Sequence, residues 1–448
     1  MRIAHLTDLH LRRVTPGTSR IPRRRSRDMA EVFGRAVDDA VGRGAELIAV
    51  TGDLVDVPDY LFDHERDLAA DAPLWDAVRR DYRLIRDILE GSGADWIALP
   101  GNHDSMRTVT EVFGPRPRVV DLGGLRFVSF WDREWSTHVP QRVLAERRRF
   151  DAAVDDPDPV PQVHLQHYVV TPELNDGWPH TYLEGELLRD RTVASGRVVL
   201  SLSGHYHPGV EIQRHGATTF SVTPALTEAP HSYRLFDVDP ATGAVSGEQI
   251  DLGRDVSPVV FVDRDGCINT LPGYHYGPGP MELLPGAAAA IRRLRAAGYR
   301  VVVVTNQTSV GLGYVTPQIV DEVNDHMAAL LAAEGAEVDA VYVSTDAGDD
   351  GISDAYRHTG DAKPSPAMLL RAAHELGLDL TRAFMVGDAR GDIDAGLAAG
   401  VTPLLVRTGV GRATERNASG RPGCRVVDDL AEAAAVILGW ARGLPDPP

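Results

Sequence analysis

The stretch Leu99-Pro100-Gly101-Asn102-His103-Asp104 decides the fold that we expect for the first half of this chain. It follows a short apolar run, residues 96–99, which is typical of a buried strand, so its last three side chains lie on a loop at the strand's carboxyl end. Open α/β sheets bind ligands at that end. An amide oxygen, an imidazole and a carboxylate in a row can serve a metal site when further ligands follow other strands.

Metal-binding side chains do follow other strand-like segments of the first half. They are Asp8 and His10 after residues 3–6, Asp53 after residues 47–50, His167 after residues 163–166, and His205 and His207 after residues 198–202. A lone histidine or a lone Gly-Asp pair carries little weight, whereas such residues after five strand-like segments together predict a metal site. Because the ligands include imidazole, carboxylate and amide oxygen without thiolate, the site favours Mn²⁺, Fe²⁺ or Zn²⁺.

The composition is that of a globular protein, with 43% hydrophobic and 25% charged residues among 448. Length alone suggests about three domains, but the pattern of strands predicts two. The net charge of −18 disfavours stable binding to nucleic acids without excluding a local basic patch. Two distant cysteines, Cys267 and Cys424, give neither a cysteine zinc site nor a disulfide framework, which favours a cytoplasmic location. No apolar run approaches the ~20 residues of a membrane span, and we expect no cleaved signal because the first strand leads directly into Asp8.

A second α/β pattern begins near residue 259. Four apolar runs there alternate with helical segments, which predicts a doubly wound parallel sheet. We therefore predict two domains, residues 1–250 and 259–441, joined by a linker at residues 251–258. Polar side chains again follow the strands: Asp263 and Asp265 after residues 259–262, Thr305 and Asn306 after residues 301–304, Lys363 after residues 341–344, and Asp388 after residues 384–386.

These side chains can hydrolyse a phosphoric ester through a covalent intermediate. Asp263 would attack phosphorus, while Asp265 would protonate the leaving oxygen and later deprotonate the hydrolytic water. Asp388 offers, with these two carboxylates, a Mg²⁺ site, and Lys363, the only lysine of the chain, supplies a compact positive charge. Asp392, one helical turn beyond Asp388, either supports the metal ligands or is a solvated carboxylate.

The ligand pattern of the first half resembles the signature of the calcineurin-like metallophosphoesterases. The resemblance implies a four-layer α/β/β/α sandwich that holds two metals. One metal would be bound by Asp8, His10 and His207, the other by Asn102, His167 and His205, and Asp53 would bridge them. His103 would stay off the metals and protonate or stabilise the leaving oxygen, and Asp104 would orient it. The motifs look most similar to the cyclic-nucleotide and glycerophosphodiester phosphodiesterases.

The loop after the first strand is rich in arginine between residues 12 and 27. Such a run is either a solvated face or an anion-attracting funnel at the rim of the site, in which case Arg23 and Arg24 bind substrate. The segment Val57–Leu89 is a long insertion between metal ligands.

Residues 259–409 resemble the haloacid dehalogenase-like (HAD) phosphatases, and look closest to the branch of heptose 1,7-bisphosphate and histidinol-phosphate phosphatases. The resemblance implies a Rossmann-like domain in which Thr305 and the amide of Asn306 hold the phosphoryl group. The sequence leaves no room for a large cap, so we expect an open site or one covered only by residues 272–280. The sequence departs from these relatives in three ways: Cys267 replaces a usual Thr, Ala362 replaces an Arg of the heptose enzymes, and residues 344–361 lack zinc-binding cysteines.

We therefore predict a bifunctional phosphohydrolase that acts on small phosphorylated metabolites such as sugar phosphates or nucleotides. The first domain would be a dinuclear-metal phosphodiesterase or phosphatase and the second a Mg²⁺-dependent phosphomonoesterase, which suggests that they act in sequence on one substrate. Two alternatives stay open. One is a nucleic-acid end-healing phosphatase, favoured only by the arginine-rich loop, and the other is a non-catalytic regulatory module, disfavoured because neither site lacks a required residue.

Overall fold

The computed structural model describes residues 1–58, 61, 72–134, 138–253, 256–270, 281–418 and 424–441. The chain divides into two compact units. The first comprises residues 1–15 and 26–254, and the second comprises residues 16–25 and 255–448. Residues 16–25, part of the arginine-rich loop, thus group with the second unit, although the sequence-based division places them in the first domain.

The first unit contains two main sheets. Its strands are β1 (Arg2–Leu6), β2 (Leu47–Thr51), β3 (Asp95–Leu99), β4 (Val119–Leu122), β5 (Leu125–Ser129), β6 (Arg133–Glu134), β7 (Pro140–Gln141), β8 (Gln162–Leu165), β9 (Val198–Ser203), β10 (Gln213–His215), β11 (Thr218–Val222), β12 (Ser232–Val238) and β13 (Val245–Asp251). Its helices are α1 (Met29–Gly42), α2 (Ala72–Gly91), α3 (Met106–Phe113), α4 (Leu144–Val154) and α5 (Gly185–Ser195). One sheet has the order β13-β12-β1-β2-β3 and the other β10-β11-β9-β8-β5-β4, while β6 pairs with β7.

The two sheets pack face to face, with helices outside both. Ile3 of β1 and Phe127 of β5 share the core between the sheets, whereas Leu6 of β1 packs in the core beneath helices α1, α2 and α3. Helices α4 and α5 cover the second sheet through Phe150 and Leu188. Strand alternation produces this division because successive side chains point to opposite faces. The layers confirm the expected α/β/β/α sandwich.

Parallel pairing brings the polar loops of the first unit together. β1, β2 and β3 are parallel neighbours, so their carboxyl ends lie side by side. β8 and β9 are parallel neighbours in the other sheet. The loop after β8 meets the loop after β3 where His167 contacts Asn102.

The second unit has one six-stranded sheet. Its strands are β14 (Ser257–Val262), β15 (Arg300–Asn306), β16 (Ala340–Ser344), β17 (Leu378–Gly387), β18 (Thr402–Val406) and β19 (Arg425–Val427). Its helices are α6 (Ala287–Ala296), α7 (Thr308–Gly311), α8 (Pro317–Ala333), α9 (Ala367–Leu376), α10 (Arg390–Ala398), α11 (Gly411–Ala418) and α12 (Leu430–Ala441). All strands are parallel, in the order β16-β15-β14-β17-β18-β19.

Helices cover both faces of this sheet, which confirms the doubly wound fold. Helices α6, α8 and α12 pack on one face and helices α9 and α10 on the other. The strand order reverses at β14, which has β15 on one side and β17 on the other, and ligands of such sheets bind at this point. Between β14 and β15 the described residues form turns and helix α6 and no cap domain. None of the helices in the described part of the chain has the length and apolar character needed to cross a bilayer.

Candidate active sites

Asp53 lies between the two predicted groups of metal ligands in the first unit. Its Oδ2 atom is 3.3 Å from His10 Nε2 and 3.5 Å from His167 Nε2. Asn102 Oδ1 is 3.0 Å from the same nitrogen of His167. The structure thus brings the predicted ligands together. The atoms that could bind metal lie within 4.8 Å of one another in three groups: Asp8 with His10 and His207, Asp53 with His167 and His205, and Asp53 with His10 and His103.

Hydrogen bonds around this cluster fix which imidazole nitrogens present lone pairs. His167 Nδ1 lies 2.8 Å from the Thr51 carbonyl oxygen, and His207 Nδ1 lies 2.6 Å from Glu228 Oε1. Because both partners accept hydrogen bonds, each Nδ1 carries a proton and each neutral ring presents a lone pair at Nε2. The Nε2 atom of His207 faces His10 Nε2 at 3.2 Å.

The same crowding of acceptor atoms recurs across the cluster. His167 Nε2 is 3.1 Å from His205 Nδ1. Asp8 Oδ1 is buried, lies 3.6 Å from His207 Nε2, and accepts no hydrogen bond from the described residues. Acceptor atoms at these separations repel one another unless cations lie among them. The residues therefore fit two divalent metals.

The backbone of this site is strained where the ligands leave their strands. The φ angles of Asp8, His10, Asp53 and His205 lie between 46° and 67°. Non-glycine residues adopt this left-handed conformation at a cost of order 1–3 kcal/mol each, and such strain concentrates at functional sites. At Gly101 no side chain fits, because a Cβ atom there would overlap Asp53 Oδ1.

The partners of His103 and Asp104 differ from those predicted. His103 Nδ1 lies 3.0 Å from Asp56 Oδ1. Asp104 instead accepts hydrogen bonds from the backbone N–H groups of residues 54, 55 and 101 at 2.8 to 3.0 Å. The expectation that Asp104 orients His103 is therefore corrected, because backbone donors take up its carboxylate. Burial raises the pKa of Asp56, but hydrogen bonds from His10 and His103 outweigh that effect and hold the pKa well below its usual range.

Helix α2, which lies in the predicted insertion, fastens two loops of the first site. The Asp81 carboxylate accepts hydrogen bonds from the backbone N–H groups of residues 13–15 at 2.7 to 3.1 Å. Tyr82 Oη donates to Asp104 Oδ1 at 2.8 Å and accepts from the Ser105 N–H at 3.1 Å. The insertion therefore has a structural role: it holds the loop of residues 100–105, the catalytic loop, which carries Asn102 and His103.

The arginine-rich loop is divided between the two units. Arg23 and Arg24 lie in residues 16–25, which group with the second unit. Arg24 is 8% exposed, so this position is not part of a solvated face. The role of Arg23 and Arg24 in binding substrate stays a prediction.

In the second unit, Lys363 lies between two carboxylates. Its Nζ atom is 2.8 Å from Asp263 Oδ1 and 2.6 Å from Asp392 Oδ1, and it donates to the Val304 carbonyl oxygen at 2.7 Å. Asp392 is 2% exposed, so the structure excludes the interpretation of a solvated carboxylate. Burial raises the pKa of Asp263 to about 7, although the Lys363 charge opposes the rise.

Backbone atoms of Gly266, Gly409 and Val410 pack closely around the Asp388 carboxylate, and we call this arrangement the cradle. The Asp388 Oδ2 atom accepts a hydrogen bond from the Val410 N–H at 2.8 Å. A Cβ atom at Gly266 or Gly409 would overlap this oxygen, and both residues have positive φ. Oxygens of Asp388, Asp263 and Asp392 lie within 4.8 Å of one another. Three carboxylates beside one ammonium leave negative charge, and their oxygen donors fit Mg²⁺.

Asp265 lies outside that carboxylate group, as far as the described residues show. Its carboxylate accepts hydrogen bonds from Arg264 Nη2 at 2.8 Å and from Asn269 Nδ2 and Gln307 Nε2 at 2.9 Å each. These donors occupy its side-chain oxygens, and the role of Asp265 in holding Mg²⁺ stays a prediction. Its role as acid and base stays a prediction.

Asn306 holds Lys363 in place. Asn306 Nδ2 donates to the Lys363 carbonyl oxygen at 2.9 Å, and its Oδ1 accepts from the Lys363 N–H at 3.0 Å. The side-chain amide of Asn306 thus bonds to the backbone of Lys363, and the expectation that Asn306 holds the phosphoryl group stays a prediction. Thr305 is buried and its hydroxyl oxygen accepts from Gln307 Nε2 at 2.9 Å.

The three sequence departures of the second half have different outcomes. Cys267 is buried in the core beneath α6, where burial raises the pKa of its thiol well above its usual range. Asp346 accepts hydrogen bonds from the N–H groups of residues 348, 358 and 360 and from Thr359 Oγ1. Hydrogen bonds therefore close this loop, which lacks the cysteines. The structure shows no particular role for Ala362. The expected cover at residues 272–280 lies outside the described residues.

Models of two protein families match separate parts of the chain. A model of the calcineurin-like phosphoesterases matches residues 1–209, and a model of the HAD-hydrolase-like proteins matches residues 361–433. The D-glycero-beta-D-manno-heptose-1,7-bisphosphate 7-phosphatase of Yersinia pestis is 35% identical over 153 residues, which are 34% of this chain and 81% of that protein.

Two solved structures each match part of this chain. A D,D-heptose 1,7-bisphosphate phosphatase from B. bronchiseptica, complexed with magnesium and phosphate, has 33% sequence identity, and the match covers 41% of this chain and 99% of that one with a TM-score of 0.37. A dimetal phosphatase from Danio rerio has 15% identity, and the match covers 56% of this chain and 98% of that one with a TM-score of 0.39.

Proposed function

Because the chain carries a calcineurin-like phosphoesterase domain and belongs, through its HAD-like domain, to the family of the heptose-bisphosphate phosphatases, we propose that it is a bifunctional phosphohydrolase. One observation carries the proposal: each unit holds a buried catalytic cluster of its own. Asp53 lies among imidazoles in the first unit, and Asp263 lies beside Lys363 in the second. Two separate sites support two hydrolytic activities in one chain.

In the first unit, His103 is the acid that we assign to the leaving group. Asp56 lies 3.0 Å from His103 Nδ1 and stabilises the protonated ring, which then donates a proton to the leaving oxygen of the ester. Asp8, His10 and His207 would hold one divalent metal and Asn102, His167 and His205 the other, and Asp53, which lies between the two groups of ligands, would contribute to both. Mn²⁺, Fe²⁺ or Zn²⁺, when bound here, supplies charge for the phosphoryl oxygens and acidifies water.

In the second unit, we assign covalent catalysis to Asp263. A carboxylate oxygen of Asp263 attacks phosphorus, the bond between phosphorus and the ester oxygen breaks, and Asp265 gives its proton to that oxygen. Asp265 then takes a proton from the water that hydrolyses the aspartyl phosphate. Lys363 neutralises charge on Asp263, and Asn306 positions Lys363. Asp263, Asp265 and Asp388 would hold Mg²⁺, which would supply further positive charge when bound.

The proposed substrates are small phosphorylated metabolites of the cytoplasm, such as sugar phosphates or nucleotides. The first unit would open a phosphodiester or remove one phosphate, and the second would hydrolyse the remaining monoester. The two activities would then be consecutive steps on one substrate.

Separate inactivation of the two units tests this proposal. Asp8→Asn and Asp263→Asn variants would be assayed with Mn²⁺ and Mg²⁺ on cyclic nucleotides, glycerophosphodiesters and sugar phosphates, including heptose 1,7-bisphosphate. We expect Asp8→Asn to lose only the first activity and Asp263→Asn to accumulate a monoester. Asp239→Asn, at an exposed turn, serves as the control. No hydrolysis by the wild-type chain would refute the function, and full conversion of one substrate by both variants would refute the sequence of steps.

A further inference from the structure

A cavity of about 510 Å³ lies beside the metal-ligand cluster of the first unit. Its wall includes Met106, which closely follows the loop of Asn102 and His103, and Glu134, whose Oε1 atom is 3.9 Å from His205 Nε2. The volume lies in the range of pockets that bind small organic molecules, roughly 300–1,000 Å³. We call this space, with its wall residues Met106, Arg118, Trp131, Arg133, Glu134 and Glu146, the side pocket.

Arg118 gives the side pocket a positioned hydrogen-bond donor. Its guanidinium carbon lies 3.5 Å from the centre of the Trp131 ring, and stacking of this kind restrains the side chain. Its Nη2 atom is 3.8 Å from Glu146 Oε1, beyond hydrogen-bond distance, and the side chain is 22% exposed. Burial lowers the pKa of Arg118 to about 10, so the group stays charged at neutral pH. The protein therefore leaves part of this donor capacity unused.

The charges of the side pocket nearly cancel. Arg118 and Arg133 line it together with Glu134 and Glu146. Asp132 also lines it, but its carboxylate is neutralised by Arg142 Nη2 at 2.9 Å and accepts from Tyr182 Oη at 2.6 Å. An additional anion or a cation would gain little from such a wall. An uncharged group that carries oxygen atoms would pair with the remaining Arg118 donor.

We propose that the side pocket binds the uncharged, oxygen-bearing alcohol group of a phosphodiester, with Arg118 donating a hydrogen bond to one of its oxygens. The inference rests on the proposed phosphodiesterase function of the first unit and specifies its substrate class. The phosphoryl group lies at the metal cluster, and the second alcohol of the diester departs beside His103.

Three p-nitrophenyl phosphodiesters test the inference, since they share a leaving group and differ in the retained alcohol. The retained alcohol is methanol, choline or the 5′-hydroxyl of thymidine. We expect wild-type kcat/KM with Mn²⁺ to be at least about tenfold higher for the thymidine ester than for either other ester. Arg118→Gln is expected to raise KM for the thymidine ester about tenfold, as befits one charge-assisted hydrogen bond, and to leave the methyl ester within about twofold.

A matched control and a second variant separate binding from folding. Arg116→Gln removes an arginine that stacks 3.6 Å over Trp96 and does not line the side pocket, and it should leave all three esters unchanged. Leu144→Trp adds bulk at the rim of the side pocket, where Leu144 is 73% exposed, and should raise KM for the thymidine ester alone.

The outcomes distinguish the inference from the function on which it rests. Equal wild-type efficiency on the three esters, or an Arg118→Gln effect that is the same for all of them, would overturn the side-pocket assignment and leave the phosphodiesterase function standing. Preference for the choline ester would show a cation site and also overturn it. Failure to hydrolyse any of the esters would overturn both.

Discussion

Replacing Tyr82 with phenylalanine tests whether helix α2 holds the catalytic loop of the first unit. The change deletes only a hydroxyl, which donates to Asp104 Oδ1 at 2.8 Å and accepts from the Ser105 N–H at 3.1 Å. Burial raises the pKa of Tyr82 well above its usual range, so the hydroxyl stays protonated and keeps donating at neutral pH.

The expected cost follows from these two contacts. A hydrogen bond to a charged acceptor contributes ~1.5–3 kcal/mol, and a buried N–H left without an acceptor costs ~1–3 kcal/mol. The Asp104 carboxylate keeps its three hydrogen bonds from backbone N–H groups in the variant. The lower ends of both energy ranges therefore apply. We expect Tyr82→Phe to lower the free energy of unfolding of the first unit by about 2.5 kcal/mol.

Urea unfolding followed by tryptophan fluorescence measures this loss, since all tryptophans except Trp440 lie between residues 75 and 178. Tyr233→Phe is the matched control, because it removes one partly buried hydrogen bond to the Asp39 carboxylate and strands no backbone N–H, so it should cost about 1.5 kcal/mol. The reasoning fails if Tyr82→Phe costs no more than this control, or if first-unit activity survives unchanged while stability falls.

Three further predictions concern the two sites. Gly409→Ala, whose Cβ atom would overlap Asp388 Oδ2, should lower second-unit phosphatase activity about 10–100-fold in a Mg²⁺-dependent assay and leave the first activity intact; equal activity would contradict the cradle. Asp56→Asn should lower kcat of the first unit about tenfold with little change in KM, because His103 loses its carboxylate partner; a pure KM effect would contradict this role. Removing metals by chelation should lower the stability of the first unit by about 4 kcal/mol at metal concentrations near a thousandfold above Kd, measured by calorimetry before and after Mn²⁺ is restored, and an unchanged melting temperature would count against the metal cluster.

The residues at strand ends could be predicted from the sequence because their signal is local. A short apolar run followed by Asp, Asn or His marks both the strand and the loop, and parallel strands carry such loops to one edge. Asp8, Asp53, Asn102 and His167 therefore came together as expected. The arginines of residues 16–25 carry no such signal, because a basic run without an apolar period does not indicate which unit it belongs to.

The partners of the catalytic groups could not be predicted because they depend on tertiary contacts. Asp104 is adjacent to His103 in sequence, yet backbone N–H groups of two loops capture it, and Asp56 takes its place. A carboxylate three residues after Asp53 in the same loop was the available signal. Arg264 gave no signal, although it is fully buried and reaches Asp265 and Asn324.

The single lysine of the chain makes the second site accessible to covalent probing. An amine-reactive ester can acylate only one lysine among the 448 residues, and that lysine, Lys363, is 8% exposed. Burial lowers the pKa of Lys363, but the carboxylates of Asp263 and Asp392 outweigh that effect and raise it above its usual range. Since acylation requires a free amine, Lys363 reacts only when the cluster opens and releases it. The rate of lysine acylation, measured by mass spectrometry, therefore reports how often that site opens.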